Sequence, residues 1–594
     1  MRNRKDIEQR FTWDPDQLYP NIDAWRKDFD KLKKMLNCIE DYKGRLGDKE
    51  VLLQYYEYSK NVDILAGKVV LYPELYHDID MDKDEYNRLL AEIEIAFDDF
   101  NQKSSFVAPE LNSYDVSYLE GLLTDDRFQL HYMGIKDLIK HKPHILSDTE
   151  EKIMAQVGEF SGMFSEIFDA YDAVDVKFDD AIDSNGQKHE VTNANIGALL
   201  KDRDRELRRT AYESLNGGYK KCATTLANNY IASVKKDTFY SKVYRYADTL
   251  TKNLDKNDLT EKLYYTLMDA VNSHIYLSRD WASIKKKIYN LPELYPYDMS
   301  VPISTLDKKY PYDEACDNVK KALAILGEDY VALLDKAINS RWIDVYPTKN
   351  KSTGGCCMNI YDCPPYILLN HEDTFDDMST IAHELGHALH HRYIEANQPY
   401  EYSEVSIFLA EIASTTNELL LKKYLYNNTD DNEEKLYILQ ELLSLIIGTV
   451  FNQTMFSEFE DYAHKVVESK MPLTKDMLLD KYSELQDKYG SDVVNKMDIG
   501  KYSCLRIPHF YRPYYVFKYA TGIACAMNFV KQIYEGDGGV ENYMKFLKAG
   551  SSDYPLNILR GCGIDLEDSH AYDAIFDEMR WALNEVQNII DERK

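Results

Sequence analysis

The chain has 594 residues, of which 44% are hydrophobic and 29% charged, and its formal net charge is −30. This length needs several domains or one large helical body, and the apolar content excludes global disorder. The acidic balance argues against nucleic acid and anionic membrane as main partners, because both carry phosphate charge.

The opening MRNRKDIEQRFTWDPDQLYP has no apolar stretch after its basic residues, so it does not read as a secretory signal. No uncharged apolar run of about 18 residues follows anywhere, which leaves no expected membrane span. The nine cysteines, irregularly spaced, read as free thiols in a reducing cytoplasm. The cluster Cys356, Cys357 and Cys363 lacks paired CxxC spacing. Gly 25 and Pro 17 are few for this length and fit long helices with few turns. The 48 tyrosines against 21 phenylalanines supply rings with a polar handle, suited to wet clefts.

From about residue 20 to 290 apolar residues recur at three and four, as in VLLQYYEYSKNVDILAGKVVLYPELY, which predicts helices. The stretch 173–193 alternates around Ser184-Asn185-Gly186 and reads as a short hairpin. Helix resumes near Asn195, where a domain boundary is expected: 1–195 as an N-terminal helical domain, 196–594 as the catalytic one. A second break, 340–370, holds Gly354-Gly355, Cys363-Pro364-Pro365 and two runs, CCMNI and YILLN, that read as strands. Helices then dominate to the end. The fold class expected is mainly α, with a small sheet in the second half.

The segment TFDDMSTIAHELGHALHHRYIE, starting at Thr374, opens with a capping box from Thr374 to Asp377 and continues with an apolar stripe of Met378, Ile381, Ala382, Leu385, Ala388 and Leu389. Within it lies His383-Glu384-Leu385-Gly386-His387. Four residues advance a helix by about 400°, so His383 and His387 share one face and can grip one zinc ion. Glu384 lies about 100° around and can reach a water beside the metal. The extension HExxHxxGxxH is absent, since position 390 is His and position 393 is Tyr. A third ligand is expected from the helical stretch 403–426, where Glu411 sits among Phe408, Leu409, Ile412 and Ala413 and should point inward. Glu418, two turns on, could orient a ligand histidine.

HELGHALHH followed by FLAEIASTTNE resembles peptidase family M3, in its oligoendopeptidase F branch. TWDPDQLYP, NIGALLKDRDRELRRTAYESL, YILLNHEDTFDDMSTIAHELGHALH, IPHFYRPYYVFKYATG and FLKAGSSDYPLNILRGCGIDL also match the branch in order, over nearly the whole chain. The resemblance implies one zinc ion per chain on His383, His387 and Glu411, with Glu384 as general base. It implies donors to the tetrahedral intermediate from the C-terminal segment: His509 and Tyr519 foremost, Tyr514 next. It places Gly354, Gly355 and Cys356 on a substrate-binding edge strand, makes Tyr511 and Tyr515 further substrate contacts, and puts His390 near the site as support, with His391 exposed. It implies an elongated, two-lobed helical body with a deep channel that admits short unstructured oligopeptides and excludes folded proteins.

The function expected is therefore a cytoplasmic zinc endopeptidase for oligopeptides, with no nucleic-acid, membrane or obligatory protein partner. Two alternatives keep the same site: a dipeptidyl carboxypeptidase, with Arg512 as a candidate for the substrate carboxylate, and a catalytically silent peptide binder.

Overall fold

The computed structural model describes residues 3–490, 493–536 and 538–593. The protein is mainly helical, and its strands among the described residues are short. It divides into two compact units built from interleaved stretches. Unit 1 comprises residues 1–145, 308–425 and 529–563; unit 2 comprises 146–307, 426–528 and 564–594. Residue 195 falls inside unit 2.

Unit 1 begins with three helices, α1 (Ile22–Asn37), α2 (Lys49–Ile79) and α3 (Asp84–Ser104). Asn21 and Asp48 cap the first two through side-chain oxygens that accept backbone N–H groups. On α1, Trp25, Phe29, Leu32 and Leu36 repeat at helical spacing and bury against Val62, Val69 and Tyr72 of α2 and Tyr86, Leu89 and Ile93 of α3. The Trp25 indole donates to the Val69 carbonyl at 2.8 Å, so its polar atom is satisfied inside that core. A second face of α2, carrying Leu71, Leu75 and Ile79, packs with Trp13 against Cys363, Tyr366 and Leu368. Helix α2 thereby ties the N-terminal core to the sheet.

Unit 2 carries the expected hairpin, β1 (Ala181–Ile182) antiparallel to β2 (Lys188–His189). Gly186 in its turn has φ +79°, a conformation glycine adopts without penalty. Ala181 and Val191 bury against Leu207 and Ala211 of the helix Arg205–Lys221. The helical stretch Asn432–Glu468 of this unit is long and apolar enough by length and composition to cross a membrane, and half of its most apolar 18-residue window is buried inside the protein.

The sheet beside the site belongs to unit 1 and has three strands, one more than the two runs expected. They are β3 (Ile343–Asp344), β4 (Cys356–Met358) and β5 (Tyr366–Leu368), in the order β3-β5-β4. β3 runs parallel to β5, with Ile343 opposite Ile367; β4 runs antiparallel, with Cys357 opposite Ile367. The additional strand is anchored by charge rather than by an apolar run. Buried Asp344 accepts from Lys351 at 2.7 Å and from Arg4, and Lys351 also donates to the Tyr346 carbonyl at 2.8 Å. A polar anchor of that kind leaves no periodic signal in sequence.

Candidate active site

The histidine helix spans Phe375–Asn397. Thr374 caps it as expected: its hydroxyl accepts from the Asp377 N–H at 3.1 Å, and the Asp377 carboxylate accepts from the Thr374 N–H at 2.9 Å. The predicted stripe from Met378 to Leu389 is buried. The glutamate helix, Ala410–Asn427, starts later than the 403 onset expected. Gly386 lets it lie close. A Cβ there would sit 2.6 Å from the Ser414 Cα and 3.0 Å from the Ala413 carbonyl oxygen, so any larger residue pushes the helices apart. Asn417 pins the pair by donating to the Ala382 carbonyl at 3.1 Å while accepting from the Tyr330 hydroxyl at 3.0 Å.

This packing brings His383, His387 and Glu411 together. The His383 and His387 Nε2 atoms lie 3.2 Å apart, and Glu411 Oε2 lies 3.4 and 3.5 Å from them. Ligand atoms each about 2.0–2.1 Å from a tetrahedral ion stand roughly 3.3 Å apart, so the triangle has the size of a zinc-like centre. Its chemistry agrees. His383 Nδ1 lies 2.8 Å from Glu418 Oε1, which makes Nδ1–H the donor and leaves the Nε2 lone pair facing the other two acceptors. Three converging lone-pair atoms call for a cation.

Electrostatics agree in sign: Glu411 and Glu418 favour positive charge at His383, which a proton on Nε2 supplies until a cation displaces it. Hydrogen bonds from His383 and His387 hold the Glu411 carboxyl well below the usual range despite its partial burial. Burial alone would lower His383, but Glu411 and Glu418 outweigh it and raise the imidazole to about 10. Burial would raise Glu418, yet the Lys422 charge and His383 bring it down to about 2. Glu418 Oε2 also accepts from Ser379 at 2.9 Å and from Lys422 at 3.0 Å. Glu418 thus contacts His383, Ser379 and Lys422 together; the sequence reading does not single out Ser379 or Lys422, and the four-residue step from Glu418 to Lys422 is the one signal it offers. Glu411 does not point inward: its side chain is 53% exposed. The apolar neighbours Ile412 and Ala413 bury their own face of the helix, and Glu411 looks toward open space with the two histidines.

Glu384 is buried beside the triangle, and burial raises its carboxyl toward the range where a base can also hold a proton. Strand β4 passes next to it. A Cβ on Gly355 would meet Thr380 Cγ2 at 2.8 Å and Glu384 Oε1 at 3.3 Å, so glycine is what permits the approach. Gly354, with φ +85°, turns the chain into the strand, and its carbonyl accepts from Asn370 at 2.9 Å. Gly355 and Cys356 are exposed, and β4 is an edge strand. His390 is fully buried with its ring 5.0 Å from Phe546, and burial lowers it to about 3. His391, expected to be exposed, is largely covered and lies 3.3 Å from Glu395 one turn on.

The C-terminal segment lies in unit 2. The Tyr519 hydroxyl is 3.3 Å from His509 Nε2, and the Tyr515 ring stacks on His509 and meets Tyr519 edge-on. Burial, then the Arg512 charge, lowers the His509 imidazole. Tyr511 and Tyr514 are different: both are buried. The Tyr511 hydroxyl accepts from Asn229 at 3.1 Å. Tyr514 has φ 52°, donates its N–H to Glu460 at 2.7 Å and reaches Asp461 at 3.4 Å.

An HExxH pair and a downstream glutamate at tetrahedral-ligand spacing, flanked by a buried carboxylate and an edge strand, define a metallopeptidase centre. The model of peptidase family M3 matches residues 198–578, and the oligopeptidase F model matches 110–178. Over 99% of its length the chain is 34% identical to oligopeptidase PepF of Bacillus subtilis, covering 89% of that protein. It is also 34% identical to the group B oligopeptidase PepB of Streptococcus agalactiae, covering 98% of it. A crystal structure from Chlamydophila abortus superposes with a TM-score of 0.94 at 31% identity, covering 99% of this chain and 100% of that one. The chain belongs to peptidase family M3.

Proposed function

We propose that the protein is a zinc-dependent oligoendopeptidase of the reducing cytoplasm that cuts internal bonds of short unstructured peptides. The observation that carries this is the convergence of His383, His387 and Glu411 lone-pair atoms at 3.2–3.5 Å beside buried Glu384. A divalent ion bound there supplies Lewis-acid polarisation and makes water a better nucleophile. Glu384 takes a proton from the attacking water and delivers it to the leaving amine nitrogen. Its raised pKa suits both halves of that transfer. The peptide lies along β4, whose exposed backbone at Gly355 and Cys356 offers sequence-independent hydrogen bonds. His509 and Tyr519, only partly buried and in contact with each other, are the proposed donors to the developing oxyanion. The nine cysteines, odd in number and irregularly spaced, support the reducing compartment.

The test is a mass-spectrometric digest of one end-blocked decapeptide by wild type and Glu384→Gln, together with metal analysis of the purified protein. Internal cleavage by wild type alone, with one zinc per chain, is expected. Cleavage confined to free-ended peptides, two residues from the C-terminus, would replace the endopeptidase reading with the carboxypeptidase one. A purified protein that binds peptide and metal but cleaves neither peptide form would be a silent binder.

A further inference from the structure

Unit 1 contains a cavity of about 410 Å³ that opens beside the ligand histidine His387. Its size lies within the range of small-molecule clefts, roughly 300–1,000 Å³. Two acids, Asp63 of α2 and Glu404 of the loop before the glutamate helix, contribute to its lining, and none of its described lining residues is Lys or Arg. Tyr361 and Tyr400 add two aromatic walls set edge to face with centroids 5.2 Å apart. The Tyr400 hydroxyl approaches the Asp63 carboxylate, and Ser59 donates to it at 3.5 Å. His390, also on the wall, is neutral at ordinary pH because burial lowers it to about 3. The α2 lysines on either side of Asp63 in sequence, Lys60 and Lys68, are engaged elsewhere, by Glu401 at 3.5 Å and Asp362 at 2.7 Å. The wall is tightly packed: a Cβ on Gly67 would meet the Ile360 Cγ2 at 2.6 Å, so α2 lies against the Ile360 side chain just beyond β4.

Two acids and two aromatic faces, with no lysine or arginine on the described wall, are complementary to a long side chain that ends in a positive charge. We propose that this cavity is a specificity subsite that takes a lysine or arginine side chain of the peptide being cut. The inference rests on the peptidase reading above. Because His387 forms part of the wall, the side chain it accepts belongs to a residue close to the scissile bond. Charge in this subsite would make the enzyme a selector of basic peptides even though backbone pairing along β4 is indifferent to sequence.

The experiment compares end-blocked decapeptides that differ at one position, which carries lysine, norleucine or glutamate, scanned along the peptide. At one fixed distance from the cut, wild type should show kcat/KM about tenfold higher for lysine than for norleucine, and lower still for glutamate. The preference should shrink as salt rises. In Asp63→Asn/Glu404→Gln the lysine-to-norleucine ratio should collapse toward one, and in Asp63→Asn/Glu404→Lys it should invert in favour of glutamate. A wild-type ratio near one at every position overturns the proposal, as does full lysine preference in the double variant. Both results leave the peptidase reading standing. If no peptide, charged or neutral, is cut in a Glu384-dependent way, the peptidase reading fails and the subsite falls with it.

Discussion

The histidine helix and the segment Ile507–Tyr519 carry similar numbers of candidate catalytic side chains, but they disclose their roles differently. On the helix, role follows from position. His383 and His387 share a face, Glu384 is turned from it, and a second helix fixes each partner: Glu418 on His383, Ser414 against Gly386. In the C-terminal segment the chain passes through one short 3-10 turn, Pro508–Tyr511, and the left-handed Tyr514 before a helix begins at Phe517. Four tyrosines within nine residues separate into two classes there. Tyr511 and Tyr514 are core rings satisfied by Asn229 and Asp461, and Tyr515 and Tyr519 gather around His509. Regular geometry converts spacing into function, whereas irregular backbone does so only once the fold is known.

That contrast can be broken by mutation. Glu384→Gln should lower kcat by about 10³- to 10⁴-fold while zinc content stays at one per chain; an active variant would remove the general base from the helix side of the comparison. Tyr519→Phe should lower kcat by about 10²-fold with little change in KM, as loss of one oxyanion donor does. Tyr514→Phe should register in the melting temperature, about 1 kcal/mol, rather than selectively in kcat. If the two tyrosine variants exchange phenotypes, the division of that segment into core and site rings is wrong. Glu418→Ala should weaken zinc binding by about 10- to 100-fold, read by competition with a chelator, since it frees the His383 tautomer. Gly386→Ala should cost about 1–3 kcal/mol of stability through overpacking against Ser414, measured by denaturant unfolding.

Legibility follows the same line. The cap at Thr374, the buried stripe and the grouping of His383 and His387 with Glu411 are readable because each depends on helical period or on a short-range pattern. The hairpin at Gly186 was readable from its turn residues. Strand β3, by contrast, owes its place to the nearby charges Asp344 and Lys351 and to Arg4, which comes from the far end of the chain. The exposure of Glu411 was misread because its apolar neighbours suggested burial, while the residue itself lies at the boundary between their face and the site. Ser379 and Lys422 were invisible because a buried polar chain has no periodicity. Asp63, Tyr361 and Glu404 meet only through folding, from separate parts of unit 1.

The interleaving of the two units has a consequence in time. The histidine and glutamate helices lean on the last stretch of unit 1: Phe546 packs on His390, and the Tyr543 hydroxyl donates to the Ala413 carbonyl at 3.4 Å. A ribosome that has already released HELGH must therefore continue past residue 546 before those supports exist, a delay on the order of ten to thirty seconds at ordinary elongation rates. Through that interval the motif is present without the scaffold that shapes it. The order of emergence itself postpones peptidase activity until most of the polypeptide has been made.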